Sequence, residues 1–519
     1  MEDVRLQGPE DARMFQDALY PGRSADSKTA SCTDADDYGP MFKDLPPFAD
    51  PNDPKVLAKI RELGAPGGLM DARDPVVTIV NPLDANPKFN PDNSNPEMTV
   101  GFTFLGQFLD HDITFDPSPL HMPATTGPNL RSPFLDLDSV YGRGPDEDRI
   151  LYDRSSELER GVPAKFLIDF DAPNDLPRTS QQRAIIADPR NDENVIVSQL
   201  HLAMLKFHNR VVEHVVEQAK AGETAKELFT RAQQLVRWHY QYIVVNQFLR
   251  VSLDPTVYAD VRERGPKLFK VSPTPTLPRE FQVAAYRFGH SQIRPGYQVN
   301  VGFGAPIFDA EIDPRSGDPN DLRGGRRADR RFVEWDTFFD FGTLEVAAVQ
   351  AAPGAAPTAV ARPKVKRNKR IDPFISTPMF KLPVGPGLVP VGDTHPSLPG
   401  RNLERHLQHG LPSGQAIAKK LGYAALSPAD LDELAPLGFH TSTPLWYYIL
   451  KEALLQHKGQ RLGQVGSRII AEVFIGLLLS DKGSYLSKQP GWQPELPRRD
   501  GSQTGPFTMV DLLSFAGVA

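Results

Sequence analysis

Two long stretches, 198–218 (SQLHLAMLKFHNRVVEHVVEQ) and 224–251, repeat apolar residues at helical spacing. The first carries Leu202, Leu205, Val211, Val212 and Val215; the second carries Leu228, Ala232, Leu235, Val236, Ile243, Val244 and Phe248. The same spacing predicts helices over 281–293, 401–421, 444–457 and 466–480, whereas convincing two-residue alternation is scarce. A chain patterned this way folds as a mainly α-helical body. Its 50 prolines are scattered between the periodic segments, which predicts long ordered loops, and 40% hydrophobic residues over 519 positions support a sizeable core. Helical bodies with long loops commonly enclose a ligand between helices.

Residues 1–70 are rich in Asp, Pro and Gly and weakly periodic, and we read residues 1–74 as an extension that wraps the body. The segment 351–371 reads as a small-residue and Pro loop followed by a basic, solvated surface run. A net charge of −7 does not suit a nucleic-acid binder or a polybasic membrane protein. Cys32 is the sole cysteine, so no intrachain disulfide can form. The acidic start MEDVRLQGPEDARMF lacks the pattern of a secretion signal. The apolar run 469–479 contains Glu472 and is too short to span a bilayer. The expectation is a soluble protein, cytoplasmic or exported without a recognisable signal peptide.

Four constellations carry chemistry. In GQFLDHDITFDP (106–117), Gln107, Asp110 and His111 fall on one helical face, and Asp112 is turned from His111 by about 100°. In RSPFLDLDSVYG (131–142), Ser132, Phe134, Asp136 and Asp138 alternate, as oxygen ligands to a hard cation do in a curved loop. The EF-hand glycine and glutamate are absent. In ADPRNDENVIVSQLHLAM, Arg190 and Glu193 are three apart at the entry to a long helix. In AAYRFGHSQIRP and RNLERHLQHGLP, Arg287 lies three before His290 and Asn402 three before Arg405. Taken singly, each also suits an ordinary role: a hydrogen-bonded core histidine, a polar turn, a surface ion pair.

Together and in this order, GQFLDHD, PFLDLDSVYG, YRFGH and NLERHLQHGLP resemble the blocks of the animal-type haem peroxidases, the peroxidase–cyclooxygenase superfamily. The resemblance runs from about residue 75 to the C-terminus and makes 75–519 the expected catalytic domain. It implies a mainly α fold with long loops around a buried b-type haem. It also implies His111 as distal histidine with Gln107 and Arg190 as companions, and His290 as proximal iron ligand, oriented by Asn402. Arg287 and Arg405 resemble arginines that pair with haem propionates. Asp112, Ser132, Phe134 (through its carbonyl), Asp136 and Asp138 resemble calcium ligands, and Asp110 and Glu193 the carboxylates that form esters to haem methyl groups.

The activity implied is peroxide reduction through a ferryl state, with oxidation of small phenolic or anionic donors, including halide and pseudohalide ions. A neutral imidazole can take the first peroxide proton and return it to the leaving oxygen, and an arginine can stabilise the charge that develops. Calcium on Asp112 would anchor the helix that carries His111, a structural role. Asn194 stands where some members have a methionine bonded to haem as a sulfonium, so no such bond is expected. The lack of paired cysteines points to a bacterial or other non-animal branch. A fatty-acid haem dioxygenase is the rival reading. Its radical tyrosine lies three residues before the proximal histidine, where this chain has Arg287. Tyr286, one residue earlier, would on an α-helix be turned away by about 100°. A haem-free adhesion or scaffold protein is the third reading, opposed by the intact His111, Arg190 and His290.

Overall fold

Asn194 closes the start of the longest helix: its side chain accepts from the N–H groups of Ile196 (3.1 Å) and Val197 (2.9 Å). The computed structural model describes residues 38–74, 93–115, 129–155, 163–309, 312, 316–349, 358–383, 396–502 and 504–519. Its main helices are α1 (Pro54–Leu63), α2 (Gly101–Ile113), α3 (Val195–Glu217), α4 (Ala225–Ile243), α5 (Pro255–Arg264), α6 (Leu398–Gln408), α7 (Leu445–His457) and α8 (Gln464–Ser480). A Thr224–Glu227 capping box starts α4. Five two-stranded pairs make up the sheet structure among the described residues. The mainly helical expectation therefore holds. None of the described helices is long and apolar enough to cross a membrane.

The long periodic segments fold as helices close to their expected bounds. Past Ile243 the α4 chain continues through a π-helical turn, Val244–Phe248, into Leu249–Ser252. Two expectations need correction. The segment 401–421 is two helices, α6 and Gly414–Lys420, because Gly410 (φ +59°) and Pro412 break it and Ser413 caps the second. The segment 281–293 is not a regular α-helix: a π turn, Glu280–Ala284, runs into a 3₁₀ stretch, Ala285–Gln292, which carries His290.

A third correction concerns the basic run. Thr358–Pro363 and Arg367–Lys369 are strands, and the latter pairs antiparallel with Ser94–Thr99 just before α2. Lys366 and Lys369 are buried, and Lys369 Nζ donates to Asp372 Oδ1 at 2.7 Å. Positions 350–357 lie outside the described residues, as do 1–37 of the expected extension. The described part before residue 75 docks into the body. Phe42, Phe48, Ile60 and Leu63 are buried, and Phe48 N–H donates to the Leu411 carbonyl at 2.9 Å.

The core runs between α2, α3, α4, α7 and α8. On α2, Leu105, Phe108, Leu109 and Ile113 are buried, each worth roughly 1.5–3 kcal/mol of transfer free energy. Gly106, Gln107 and Asp110 are only half-buried. That helix is therefore packed everywhere except along one polar stripe.

Candidate functional site

The stripe faces a cleft with about 1530 Å³ of empty space, part of it open to solvent. Gln107, Asp110 and His111 line it together, as the helical spacing predicts. Asp112, fully buried, points the other way. His111 Nδ1 lies 2.9 Å from Asn191 Oδ1. Burial, reinforced by the Arg190 charge, pushes the His111 imidazole down to about 4, so it is neutral near pH 7.

The turn before α3 supplies the second wall. Asp188 is fully buried and accepts from Arg190 Nε (3.0 Å) and Nη2 (2.7 Å), and pairs with Arg131 Nε at 2.9 Å. Burial pushes its carboxyl up, but Arg190 and Arg131 outweigh that and hold it well below the usual range. Arg190 also donates to the backbone oxygen of His111 (3.1 Å) and lies over the Phe115 ring at 4.2 Å. This locks its guanidinium beside the imidazole. Glu193 Oε2 accepts from Gln107 Nε2 (2.9 Å), and Gln107 Oε1 accepts from Asn194 Nδ2 (3.0 Å). Burial raises the Glu193 carboxyl well above its ordinary value, against the pull of the Arg190 charge. Gln107 lines the cleft, but its amide is engaged by Glu193 and Asn194.

The opposite wall is the 3₁₀ stretch and α6. Arg287, His290, Asn402 and Arg405 all line the same cleft, with Arg401 beside them. Asn402 Nδ2 is 2.8 Å from His290 Nδ1, and Asn402 Oδ1 accepts from Arg287 Nη1 at 2.9 Å. The contact between Asn402 and the imidazole is thus where the sequence placed it, with reversed polarity: the amide nitrogen, not its oxygen, faces the ring. Turning the amide over would let His290 donate and would deprive Arg287 of this acceptor. Arg287, three residues before His290, stacks above it on the 3₁₀ turn, whereas Tyr286 is turned from that position by about 120°. Tyr286 still lines the cleft, its hydroxyl donating to the Gly106 carbonyl at 3.1 Å.

Behind the stripe, carboxylate oxygens of Asp112, Asp136 and Asp138 lie within 4.8 Å of one another. Ser132 Oγ donates to Asp136 Oδ2 (3.0 Å), and Phe134 N–H to Ser132 Oγ (3.3 Å), which brings Ser132 and the Phe134 backbone beside these carboxylates. The alternating pattern is a curved loop, with Leu137 at φ +59°, leading into a helical turn, Asp138–Tyr141. Tyr240 and Gln241 from α4 hold it, donating to Asp112 Oδ2 (3.0 Å) and to the Leu135 carbonyl (2.9 Å). Burial, with repulsion from Asp136 and Asp138, drives the Asp112 carboxyl well up. Burial likewise brings Asp138 to about 7.

Sequence reasoning missed Asp188, Asn191 and His201. Asp188 and Asn191 flank Arg190, and adjacency alone does not reveal which side chain turns inward. His201 was visible in SQLHLAM but sits at an apolar position of α3, where a core histidine is the ordinary reading.

Residues 122–303 match the family model described as animal haem peroxidase. The chain is similar to a peroxidase-like protein of Margaritifera margaritifera, 29% identical over 267 residues, which cover 44% of this chain and 32% of that protein. It is similar to the chorion peroxidase of Drosophila melanogaster, 26% identical over 189 residues, 33% of this chain and 22% of that protein. These alignments span about a third or less of those relatives' lengths. Among solved structures, peroxidase A from Dictyostelium discoideum superposes with a TM-score of 0.51 at 16% identity, covering 81% of this chain and 85% of that one, a likeness of fold.

Proposed function

We propose that this chain, which matches the animal haem peroxidase model over residues 122–303, is a haem-dependent peroxidase that reduces hydrogen peroxide and oxidises small phenolic or anionic donors, halide and pseudohalide ions included. One observation carries the reading: His111 and His290 line a single cleft, each tethered through Nδ1 to an asparagine, with Arg190 fixed beside the first.

The residues fit the group the family implies. His111 keeps the lone pair of its Nε2 for the cleft, His290 does so once the Asn402 amide is turned over so that Nδ1–H donates to it, and Arg287, Arg401 and Arg405 add positive charge to the lining for acidic substituents. His290 would hold the iron, Asn402 would orient that ring, and Arg287 and Arg405 would meet the haem carboxylates. Asp110 and Glu193 present carboxyl groups from two different segments and are the candidates for ester bonds to the macrocycle. Bound there, haem supplies the redox centre on which peroxide is reduced.

The chain's own groups supply the proton handling. Neutral His111 takes the proton that peroxide loses and returns it to the departing oxygen, which leaves as water. Arg190, kept cationic by Asp188, stabilises negative charge as the O–O bond breaks. Gln107 holds Glu193 and Asn194 at the edge of the same space.

The carboxylate cluster fits calcium. Oxygen ligands at about 2.4 Å from a central ion stand up to about 4.8 Å apart, and buried Asp138 Oδ1 has no hydrogen-bond partner. Asp112, Ser132, Asp136, Asp138 and the Phe134 carbonyl would hold it, tying the loop to α2 as a structural strut. We also propose the division into an extension, 1–74, and a catalytic domain, 75–519.

His290→Ala tests the assignment: haem retention should collapse. Full haem occupancy with an unchanged spectrum would remove His290 as ligand. The position of Tyr286 favours fatty-acid dioxygenation as a second reading, because its phenol lines the cleft. Oxygen uptake with a fatty acid but without continuing peroxide, lost in Tyr286→Phe, would establish that activity. Peroxide-dependent donor oxidation without such uptake would exclude it.

A further inference from the structure

His111 is the first of three side chains in a buried line. Its Nδ1 is 2.9 Å from Asn191 Oδ1, and Asn191 Nδ2 is 3.0 Å from Nδ1 of His201. Asn191 and His201 are wholly buried, and His201 Nε2 has no hydrogen-bond partner. Three separate elements meet here: α2, the Pro189–Asp192 turn and α3. Phe108, one turn before His111, sets its ring edge-on to His201 at 6.1 Å.

The chemistry of these contacts has a direction. An amide oxygen only accepts, so the His111–Asn191 bond exists only when the proton is on Nδ1 of His111. The lone pair is then on Nε2, on the side left for the cleft. An amide nitrogen only donates, so His201 must offer the lone pair of its own Nδ1 and carry its proton on Nε2. The opposite amide orientation would force the proton of His111 onto Nε2 and remove the base. Burying an imidazole with an unmatched nitrogen costs roughly 1–3 kcal/mol, so His201 is an expensive way to fill a helix position whose neighbours are aliphatic. The turn that carries Asn191 also delivers Arg190 to the His111 backbone, so one short segment positions both partners of the base.

We infer that Asn191 and His201 are positioning residues: His201 holds the Asn191 amide, and Asn191 fixes His111 as the tautomer with its lone pair toward the cleft. The inference rests on His111 being the proton acceptor for peroxide. Neither residue touches the reacting atoms.

The test uses the full chain labelled with ¹⁵N-histidine, first without haem and then loaded with it. His111→Gln identifies the His111 signals among the 12 histidines. The wild-type protein should show His111 protonated at Nδ1 and bare at Nε2. Asn191→Leu should shift it toward the Nε2–H form and slow the reaction of the haem-loaded protein with hydrogen peroxide at least ~10-fold, part of what a positioned base contributes. Asn191→Asp retains an acceptor oxygen and should keep the wild-type tautomer. His201→Leu should release it, and His201→Asn, which can accept in place of Nδ1, should restore it. Should Asn191→Leu fail to fold, Asn191→Asp and the two His201 variants still decide the matter. A wild-type His111 protonated at Nε2, or a tautomer indifferent to all four substitutions, overturns the inference. A tautomer that shifts as stated with an unchanged peroxide rate upholds the relay and sinks the role of His111 as base.

Discussion

Gly324 lies where the segment from Leu322 to Gly325 crosses the turn that carries Arg190 and Glu193, and replacing it with alanine gives a graded test of how that turn is held. Its N–H donates to the Glu193 carbonyl at 2.8 Å, and Val195 N–H donates to the Leu322 carbonyl at 2.9 Å. A Cβ at 324 would stand 1.5 Å from the Asp192 carbonyl oxygen and 2.5 Å from its carbon. Ordinary contact begins at 3.4 Å, so two backbones must separate by nearly 2 Å, and no side chain can yield in their place. Overpacking costs about 1–3 kcal/mol and the two strained backbone hydrogen bonds about 1 kcal/mol each. Gly324→Ala should therefore destabilise by about 3–5 kcal/mol. The neighbour gives the control. Gly325 has φ +91° and nothing within 4 Å of its Cβ position, so Gly325→Ala carries only backbone strain, roughly 1–2 kcal/mol. Urea unfolding of both variants measures the difference, and the rate of reaction with peroxide after haem loading reports whether Arg190 has moved. Gly324→Ala should be the more damaged in both. Equal stability for the two variants, with an unshifted peroxide rate in Gly324→Ala, would refute the claim that this crossing holds the site.

Asp136→Ala should lower the melting temperature and perturb the cleft together, because the cluster joins a loop to the helix of His111; elemental analysis finding no calcium in active wild-type protein would reject the strut. Glu452 accepts from the N–H groups of Val465 and Gly466 at the start of α8, and burial pushes its carboxyl from 4.5 to about 8. The folded state then keeps a proton that the unfolded chain has lost between those values, so stability should fall as pH rises through that window. Glu452→Gln should flatten that part of the melting-temperature profile, and an unaltered slope would contradict it. After peroxide turnover, part of the haem should stay attached through acid–organic extraction. Mass spectrometry should find one link lost in Asp110→Ala and one in Glu193→Ala, and no adduct at Asn194.

The polar stripe of α2 was legible because a regular helix converts sequence spacing into direction: Gln107, Asp110 and His111 share a face, and Asp112 leaves it. The carboxylate loop was legible for a similar reason, since short-range alternation in a curved loop already brings Ser132 and Asp136 together. Legibility failed where the backbone leaves a single period. The stretch before His290 is π then 3₁₀, so the regular helix that periodicity predicts over 281–293 does not describe it. The break in 401–421 was written locally, in Gly410 and Pro412, and helical periodicity on both sides concealed it. The basic run could not be read as Lys366 and Lys369 at a buried strand end, because their burial depends on Asp372 and on pairing with Ser94–Thr99, far away in sequence. Asn191 and His201 escaped for the same reason, since their roles exist only through contacts between elements.

The most direct measurement is rapid mixing of the haem-loaded full chain with hydrogen peroxide, followed by absorption. A fast peroxide-dependent change in the haem spectrum, reversed by an added electron donor, is expected in the wild type. In His111→Ala it should be slower by roughly 10²-fold, the scale of a lost general base, with haem still bound. No spectral reaction in the wild type, or a wild-type rate in His111→Ala, would contradict the account.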